Sequence, residues 1–346
     1  MTIAHIHVTD KKNKGDWAIV VATQELLKAR WPRVKIIDWP LTVLKDATSA
    51  EIKKINQTDL VVIGGGGIFY SYWLPFSLAV IAAIKKPIIF FGAGYIREVD
   101  APDLSREAVK SAVTLVKKAS AVGVRDFKTK EFLVQNGIAT AKIKVIGDPA
   151  ALLVEKRPGA ATIKKLALAK ADGKIRIGFN LNYSGWLGFG KWRADILQAY
   201  QEVAAHFINV YGRANVEFYY LKHHPGENKI YPELKISGLK VVNLPPGSQK
   251  YIYGRLDLVI GMMLHVGVIA FGAGTPEISV AYDLRNYSFA KFIGCPELVV
   301  DLKDLKKGGL LKRAKEVFTE RGKYGIVFRK KLGEIRNKQE RFLAKI

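Results

Sequence analysis

The sequence predicts an α/β protein of two Rossmann-like domains, whose parallel sheets face each other across a cleft. Short runs of Val and Ile alternate with helical segments along most of the chain, as in parallel sheets covered on both faces. At 346 residues the chain is also too long for one ordinary core. A Pro-Gly turn and an Ala/Lys-rich stretch between residues 155 and 172 interrupt the alternation, which indicates a linker.

The domain boundaries follow from this interruption. We predict a first domain over residues 1–154, a linker over 155–172, a second domain over 173–301 and basic C-terminal helices over 302–346, broken around 322–325. The predicted strands are 3–8, 34–37, 59–63, 88–91, 121–124 and 142–146, then 175–181, 216–221, 239–242, 256–260, 277–281 and 297–300. Two similar α/β halves indicate a GT-B-like arrangement, in which ligands bind at the carboxyl ends of the strands.

The composition excludes several classes of protein. With 49% hydrophobic and 25% charged residues, the chain is typical of soluble globular proteins. No apolar run is long enough to span a bilayer, and the N-terminus carries its charges after a short apolar stretch, unlike a signal peptide. The single Cys295 excludes a disulfide framework and a cysteine metal cluster. We therefore expect a cytoplasmic protein.

The net charge of +24 is concentrated at the C-terminus. Residues 302–346 contain fifteen Lys or Arg and five acidic residues. This excess predicts attraction to an anionic glycan or to an anionic membrane surface, which would make the protein peripheral at the inner membrane face. A solvated basic helix is an equal alternative. A nucleic-acid partner is not predicted, because no nucleic-acid-binding motif accompanies the charge. The sequence leaves open whether the chain forms a homo-oligomer.

Two segments of the first half follow strands, where a cleft would lie. Asn13, Gly15 and Asp16 stand between the first strand and the first helix, whose N-terminal N–H groups can bind an anion. Taken alone, Asp16 fits a plain helix cap better than a ligand site. Gly65 and Gly66 belong to a run of four glycines that lets a ligand approach the backbone. This run is not a dinucleotide fingerprint, because Phe occupies the position of the last glycine.

Charged and titratable side chains follow other strands. Arg125 ends a strand and suits a bidentate grip on phosphate or carboxylate, with a surface pair to Asp126 as the alternative. His224 follows a strand of the second half, but it and its neighbour His223 point in different directions and form no metal pair. His265 falls at a strand-to-helix junction, which favours a functional role.

Nine short motifs occur in the order typical of one enzyme family. They are Asn13-x-Gly15-Asp16, Gly64-Gly65-Gly66, Gly92-x-Gly94, Val124-Arg125-Asp126, Gly147-Asp148-Pro149-Ala150, His224-Pro225, Gly261-x-x-Leu264-His265, Gly274-Thr275-Pro276 and Tyr282-Asp283. With these motifs, residues 13 to 290 resemble the polysaccharide pyruvyl transferases. The resemblance implies a GT-B-like enzyme that moves the enolpyruvyl group of phosphoenolpyruvate onto a diol of a sugar or lipid-linked glycan, making a pyruvate ketal in cell-surface polymers.

The resemblance also implies roles for particular residues. Arg125 and Arg285 would bind the phosphate or carboxylate of phosphoenolpyruvate, and His265 would donate a proton to the methylene carbon or assist phosphate departure. The rest of the implied donor-binding set is Asn13, Gly15, Asp16, Gly65, Gly66, Leu264 and His224. No metal and no cofactor are implied, since phosphoenolpyruvate is a co-substrate.

One departure from the family pattern keeps two alternatives open. The family motif reads Gly-x-Arg-Leu-His, whereas Met263 stands at the arginine position here. Losing one charge-assisted hydrogen bond costs roughly 1.5 to 3 kcal/mol. The alternatives are a GT-B glycosyltransferase that uses a nucleotide sugar, and a non-catalytic relic that binds an anionic glycan or membrane. Against the first, Ile269 occupies the position at which retaining glycosyltransferases have a ribose-binding Glu.

Overall fold

The structure is a computed structural model that describes residues 1–97, 101–168, 173–183 and 189–346. Residues 169–172 of the predicted linker lie outside the described residues. The described chain forms two compact units. The first contains residues 1–11, 16–152 and 333–346, and the second contains 12–15 and 153–332. No helix among the described residues combines the length and the apolar character that crossing a membrane requires.

The first unit contains a parallel sheet. Its strands are β1 (Thr2–His7), β2 (Lys35–Pro40), β3 (Leu60–Phe69), β4 (Ile88–Tyr95), β5 (Ala121–Val124) and β6 (Ile143–Val145). Their order is β2-β1-β3-β4-β5-β6, and every pair is parallel. The Val/Ile runs of β1, β3 and β4 are buried because helices cover the sheet. All six predicted strands are therefore present.

The helices of the first unit connect these strands. They are α1 (Lys14–Arg30), α2 (Val43–Asp46), α3 (Ser49–Asn56), α4 (Leu78–Ala83), α5 (Arg106–Lys118) and α6 (Phe127–Gln135). Polar side chains fix several helix starts. Thr48 and Glu51 form a capping box at α3, Ser105 caps α5 and Asp126 caps α6. The cap at Asp126 fixes where the backbone leaves β5.

The glycine run belongs to a strand, which differs from the prediction. The sequence predicts a strand that ends at residue 63, but β3 continues through the run to Phe69 with all ten residues buried. The glycines make this possible because a Cβ at Gly64 would overlap the carbonyl oxygen of Phe91 on β4. Gly65 and Gly66 have φ values of +94° and +128°, and the pairing with β4 shifts register after Gly66. The run is thus the irregular carboxyl end of β3.

The second unit contains the other sheet. Its strands are β7 (Ile175–Phe179), β8 (Val216–Leu221), β9 (Lys240–Val242), β10 (Leu258–Gly261), β11 (Glu277–Ala281) and β12 (Val299–Asp301). They lie in the order β12-β11-β10-β7-β8-β9, again with parallel pairs. Because β10 lies between β11 and β7, the carboxyl ends of these three strands are neighbours at one edge of the sheet.

The helices of the second unit follow the prediction with one exception. They are α7 (Ala160–Lys165), α8 (Phe189–Tyr211), α9 (Pro246–Tyr253), α10 (Leu264–Ala273), α11 (Leu284–Ile293) and α12 (Gly309–Thr319). The sequence predicts a helix near Glu227, but the structure has a 3₁₀ turn over Pro225–Lys229. Pro225 begins this turn and Pro232 lies in the next one, and the two prolines limit regular helical hydrogen bonding.

The C-terminal helices differ from the predicted arrangement. The last helix, α13 (Arg321–Leu343), runs through the predicted break at 322–325, and the interruption lies at Glu320. Residues 302–332 group with the second unit and 333–346 with the first, so the basic segment is not a separate domain. Buried apolar side chains explain this: Phe328 packs on Phe271 in the second unit, and Phe342 packs on Phe91 in the first.

Candidate active site

Arg125 lies at the carboxyl end of β5 in the first unit. Its side chain is only 2% exposed. The guanidinium donates from Nε to Asp126 Oδ2 at 3.2 Å, and its Nη1 lies 3.8 Å from Asp148 Oδ2. Within the described residues, neither Nη1 nor Nη2 makes a hydrogen bond. A buried guanidinium with unused donors is costly unless an anion accepts from it.

Asp148 is the second carboxylate beside Arg125. Burial raises its pKa to about 6, while the nearby Arg125 and the N–H of Ala150 oppose this shift. Asp126 caps α6, because its Oδ1 accepts hydrogen bonds from the backbone N–H and the hydroxyl of Thr129. The two carboxylates therefore differ: Asp126 caps α6 and orients the arginine, whereas burial raises the pKa of Asp148.

Glycines of β4 and β3 make room for these groups. A Cβ at Gly94 would overlap the guanidinium of Arg125, so only glycine lets this side chain lie against β4. Gly66 likewise leaves space for the carboxylate of Asp16, because a Cβ at position 66 would lie only 3.3 Å from Oδ1 of Asp16. Asp16 also raises the pKa of Asp148 slightly by its charge. The predicted residues Asp16, Gly66 and Arg125 thus share the carboxyl edge of the first sheet.

In the second unit, His265 packs against Gly15. His265 is the second residue of α10 and is 6% exposed, after Met263 at the cap position. A Cβ at Gly15 would lie 2.5 Å from Nδ1 of His265, so the imidazole occupies the space that a side chain would need. Asn13 accepts a hydrogen bond from the N–H of Gly15 at 3.2 Å and shapes this turn. The structure therefore brings three predicted residues together.

Arg285 begins the neighbouring helix α11. The strands β10 and β11 are adjacent and parallel, so α10 and α11 start at the same sheet edge. Arg285 donates from Nη2 to Oδ2 of Asp283 at 2.8 Å, and Asp283 also caps the helix by accepting from the N–H of Arg285. Nη2 of Arg285 is thus engaged by a buried carboxylate, which holds the side chain in place.

Two lysines of the second unit, Lys14 and Lys222, add positive charge near His223. Burial and the charge of Lys222 lower the pKa of Lys14 to about 8. The backbone N–H of Lys14 donates to the carbonyl of His223 at 2.9 Å, and its Nζ donates to Asn243. Burial and the charge of Lys14 also lower the pKa of His223 to about 3, so this histidine is neutral. Such crowding of like charges favours a bound anion.

A buried hydrogen-bond network that the sequence analysis missed supports these residues. Glu227 accepts from the N–H groups of His223 and His224, the hydroxyl of Tyr220 and the side-chain amide of Asn180. Burial raises the pKa of Glu227 to about 8, against the opposing effect of these donors. Asn180 accepts in turn from the N–H of Met263 at 3.3 Å. The network links the carboxyl ends of β7, β8 and β10.

The remaining predicted residues have mainly supporting contacts. His224 stacks on Tyr183 with ring centroids 4.0 Å apart and accepts a hydrogen bond from Gly226, and Leu264 is buried. Gly65 packs against Val20. That the residues of the two units serve one substrate stays a prediction.

Comparisons with solved structures identify the fold. Three solved structures, two of them described as UDP-N-acetylglucosamine 2-epimerases, match almost the whole chain. The one from Listeria monocytogenes has a TM-score of 0.58 at 14% identity, covering 94% of this chain and 90% of that one. The UDP complex of MnaA from S. aureus has a TM-score of 0.56 at 13% identity, covering 91% and 87%. The Neisseria meningitidis epimerase has a TM-score of 0.55 at 13% identity, covering 95% and 94%. The predicted GT-B-like fold is confirmed.

Sequence comparisons identify the family. The amylovoran biosynthesis protein AmsJ of Erwinia amylovora is 22% identical over 286 residues, which cover 76% of this chain and 66% of AmsJ. The family model for polysaccharide pyruvyl transferase matches residues 13–283. This range contains β2 to β11, and it includes Asn13, Arg125 and His265. The chain therefore belongs to the polysaccharide pyruvyl transferase family.

Proposed function

We propose that this protein transfers the enolpyruvyl group of phosphoenolpyruvate to a diol of a sugar or lipid-linked glycan. In this reaction the methylene carbon gains a proton, the two hydroxyl oxygens bond to the adjacent carbon, and the bond from that carbon to the phosphate oxygen breaks. The hydroxyl groups lose two protons; one balances the proton taken up by carbon and the other leaves with phosphate. The products are a pyruvate ketal and inorganic phosphate.

The buried guanidinium of Arg125 is the observation that carries the proposal. Phosphoenolpyruvate is small and multiply negative, and it needs fixed donors of positive charge. Arg125 supplies two nitrogens that make no hydrogen bond within the described residues, and Asp126 holds it in orientation. A phosphate or carboxylate can accept from both nitrogens at once. Membership of the family supports the same donor.

His265 is the group that we assign to proton transfer. An imidazole titrates close to neutral pH, which suits a general acid. Its position at the start of α10, packed against Gly15, fixes the ring in one place. Protonation of the methylene carbon creates positive charge on the adjacent carbon, and the sugar hydroxyls then add there.

Lys14 and Lys222 compensate for the family arginine that Met263 replaces. Met263 supplies no charge, but its backbone N–H is held by Asn180 at the start of α10. Lys14 and Lys222 lie in the same unit, and Lys222 is close enough that its charge lowers the pKa of Lys14. A bound dianion relieves their repulsion. We therefore propose that these lysines take over anion binding.

The test is a phosphate-release assay. We expect the protein to release inorganic phosphate from phosphoenolpyruvate only when a suitable acceptor is present, with a panel of nitrophenyl sugars and lipid-linked sugars as acceptors. Parallel reactions contain UDP- or GDP-sugars in place of phosphoenolpyruvate. Transfer from a nucleotide sugar would favour the glycosyltransferase alternative. Absence of turnover with every donor, together with tight salt-sensitive binding to anionic vesicles, would favour the non-catalytic alternative.

Replacing Met263 with Arg should tighten the binding of phosphoenolpyruvate. A restored charge-assisted hydrogen bond is worth roughly 1.5 to 3 kcal/mol, or about 10- to 150-fold in affinity. Isothermal titration of the wild type and of Met263→Arg measures this change. Met263→Leu is the matched control, because it changes the side chain without adding charge. Equal affinity of all three proteins would mean that the donor does not bind beside residue 263.

A further inference from the structure

Two histidines of β1 and an aspartate of β2 lie together in the first unit. His5 and His7 are two residues apart on one strand and therefore point to the same face of the sheet. Asp38 lies directly opposite His5 in the parallel pairing of β1 with β2. One potential ligand atom of each side chain lies within 4.8 Å of the other two. The two rings have centroids 4.5 Å apart.

The contacts of His7 require a positive charge between two electron-rich atoms. Its Nδ1 lies 2.9 Å from the carbonyl oxygen of Val8, an acceptor, so Nδ1 carries a proton and donates it. Its Nε2 lies 2.9 Å from Oδ1 of Asp38. In the neutral ring, the lone pair of Nε2 would face a carboxylate oxygen. Either a second proton or a metal ion must therefore lie between these two atoms.

His5 favours the metal ion over the second proton. Its side chain is fully buried, and its Nε2 has no hydrogen-bond partner in the part of the chain that the structure describes. Its other ring nitrogen, Nδ1, lies 3.4 Å from Nε2 of Gln24. A proton shared by His7 and Asp38 leaves Nε2 of His5 without a partner among the described residues, whereas a metal ion can bind all three side chains.

We propose that His5, His7 and Asp38 bind a divalent transition-metal ion of the zinc type. Two imidazoles and one carboxylate are ligands that Zn²⁺ accepts, and three protein ligands leave a fourth position for water. The donation from His7 Nδ1 to a backbone carbonyl is the outer contact that metal-bound histidines typically make. Gln24 on α1 donates to Oδ1 of Asp38 at 2.6 Å and orients the carboxylate.

The surroundings allow an ion to enter and give the site a structural effect. The Asp38 side chain is 54% exposed, so the ion has a path from solvent. Ligand atoms of tetrahedral zinc are about 3.3 Å apart, which small side-chain rotations from the present separations would provide. A bound ion would tie β1 to β2. The site uses none of the residues assigned to enolpyruvyl transfer, and its existence does not depend on the proposed function.

Cobalt titration of the whole metal-stripped chain tests the proposal. We expect Co²⁺ to bind with a visible absorption band typical of four or five ligands, to be displaced by Zn²⁺, and to raise the melting temperature. Asp38→Asn removes a ligand at an exposed position and should lower the Co²⁺ affinity at least about tenfold, since loss of even an outer-shell partner costs 10- to 100-fold. His5→Gln should give a loss of similar size.

Two control variants separate this site from incidental binding. Asp46→Asn removes an exposed carboxylate of the same unit, and His206→Gln removes a partly exposed histidine of the second unit. Both should keep the wild-type Co²⁺ affinity and spectrum. The proposal is overturned if the wild type binds no Co²⁺, or if Asp38→Asn changes the affinity by less than about tenfold. In those cases a proton links His7 to Asp38.

Discussion

Replacing His265 with Gln is expected to lower kcat for phosphate release by about 10²- to 10⁴-fold, the usual contribution of a general acid. Glutamine occupies similar volume and keeps a polar group at the start of α10, so the melting temperature should change little. The loss should appear in kcat more than in KM, because proton donation stabilises the transition state and not the bound donor. Steady-state phosphate release and thermal unfolding measure both effects.

Two further variants make the result specific to the position of the imidazole. Gly15→Ala keeps His265 but places a Cβ 2.5 Å from its Nδ1, so the ring must move and activity should fall as well. His206→Gln changes a histidine of the same unit, outside α10, and should remain fully active. A folded and fully active His265→Gln variant would remove this residue from the mechanism.

The strand ends could be predicted from sequence because a local pattern determines them. Buried Val/Ile runs followed by Gly, Arg or His placed Arg125 and His265 at the carboxyl ends of β5 and β10, where the structure has them. The glycine run illustrates the limit of this reasoning. Glycine usually ends a strand, but the close approach of Phe91 on β4 keeps the run within β3. That contact joins residues distant in sequence.

The supporting contacts of the site were not predictable for the same reason. Glu227 accepts hydrogen bonds from residues at the carboxyl ends of two strands and from its own turn. One of these donors, Asn180, lies 47 residues away in sequence. The pairing of His5 with Asp38 depends on the register of β1 with β2, which no local pattern fixes. The alternation of His5 and His7 is the one signal that could have indicated a shared face.

Replacing Arg125 with Lys is expected to raise KM for phosphoenolpyruvate by about 10- to 150-fold, equivalent to roughly 1.5 to 3 kcal/mol of lost charge-assisted hydrogen bonding. Lysine retains the positive charge but lacks the planar pair of nitrogens that can hold phosphate or carboxylate bidentately. It also loses the bond from Nε to Asp126 that orients the group. Initial rates over a range of phosphoenolpyruvate concentrations measure the change in KM.

A purely structural role for Arg125 would give a different result. Loss of a buried ion pair with Asp126 and Asp148 would lower the melting temperature and leave the KM of the folded fraction unchanged. Arg97→Lys is the matched control, because Arg97 pairs with Asp103 in the same unit at a more exposed position. Phosphoenolpyruvate should raise the melting temperature of the wild type and of Arg97→Lys. The rise should be much smaller for Arg125→Lys, because a ligand that binds more weakly stabilises the folded protein less. Equal stabilisation of all three proteins would assign Arg125 to the fold alone and remove the main support for its contact with the donor.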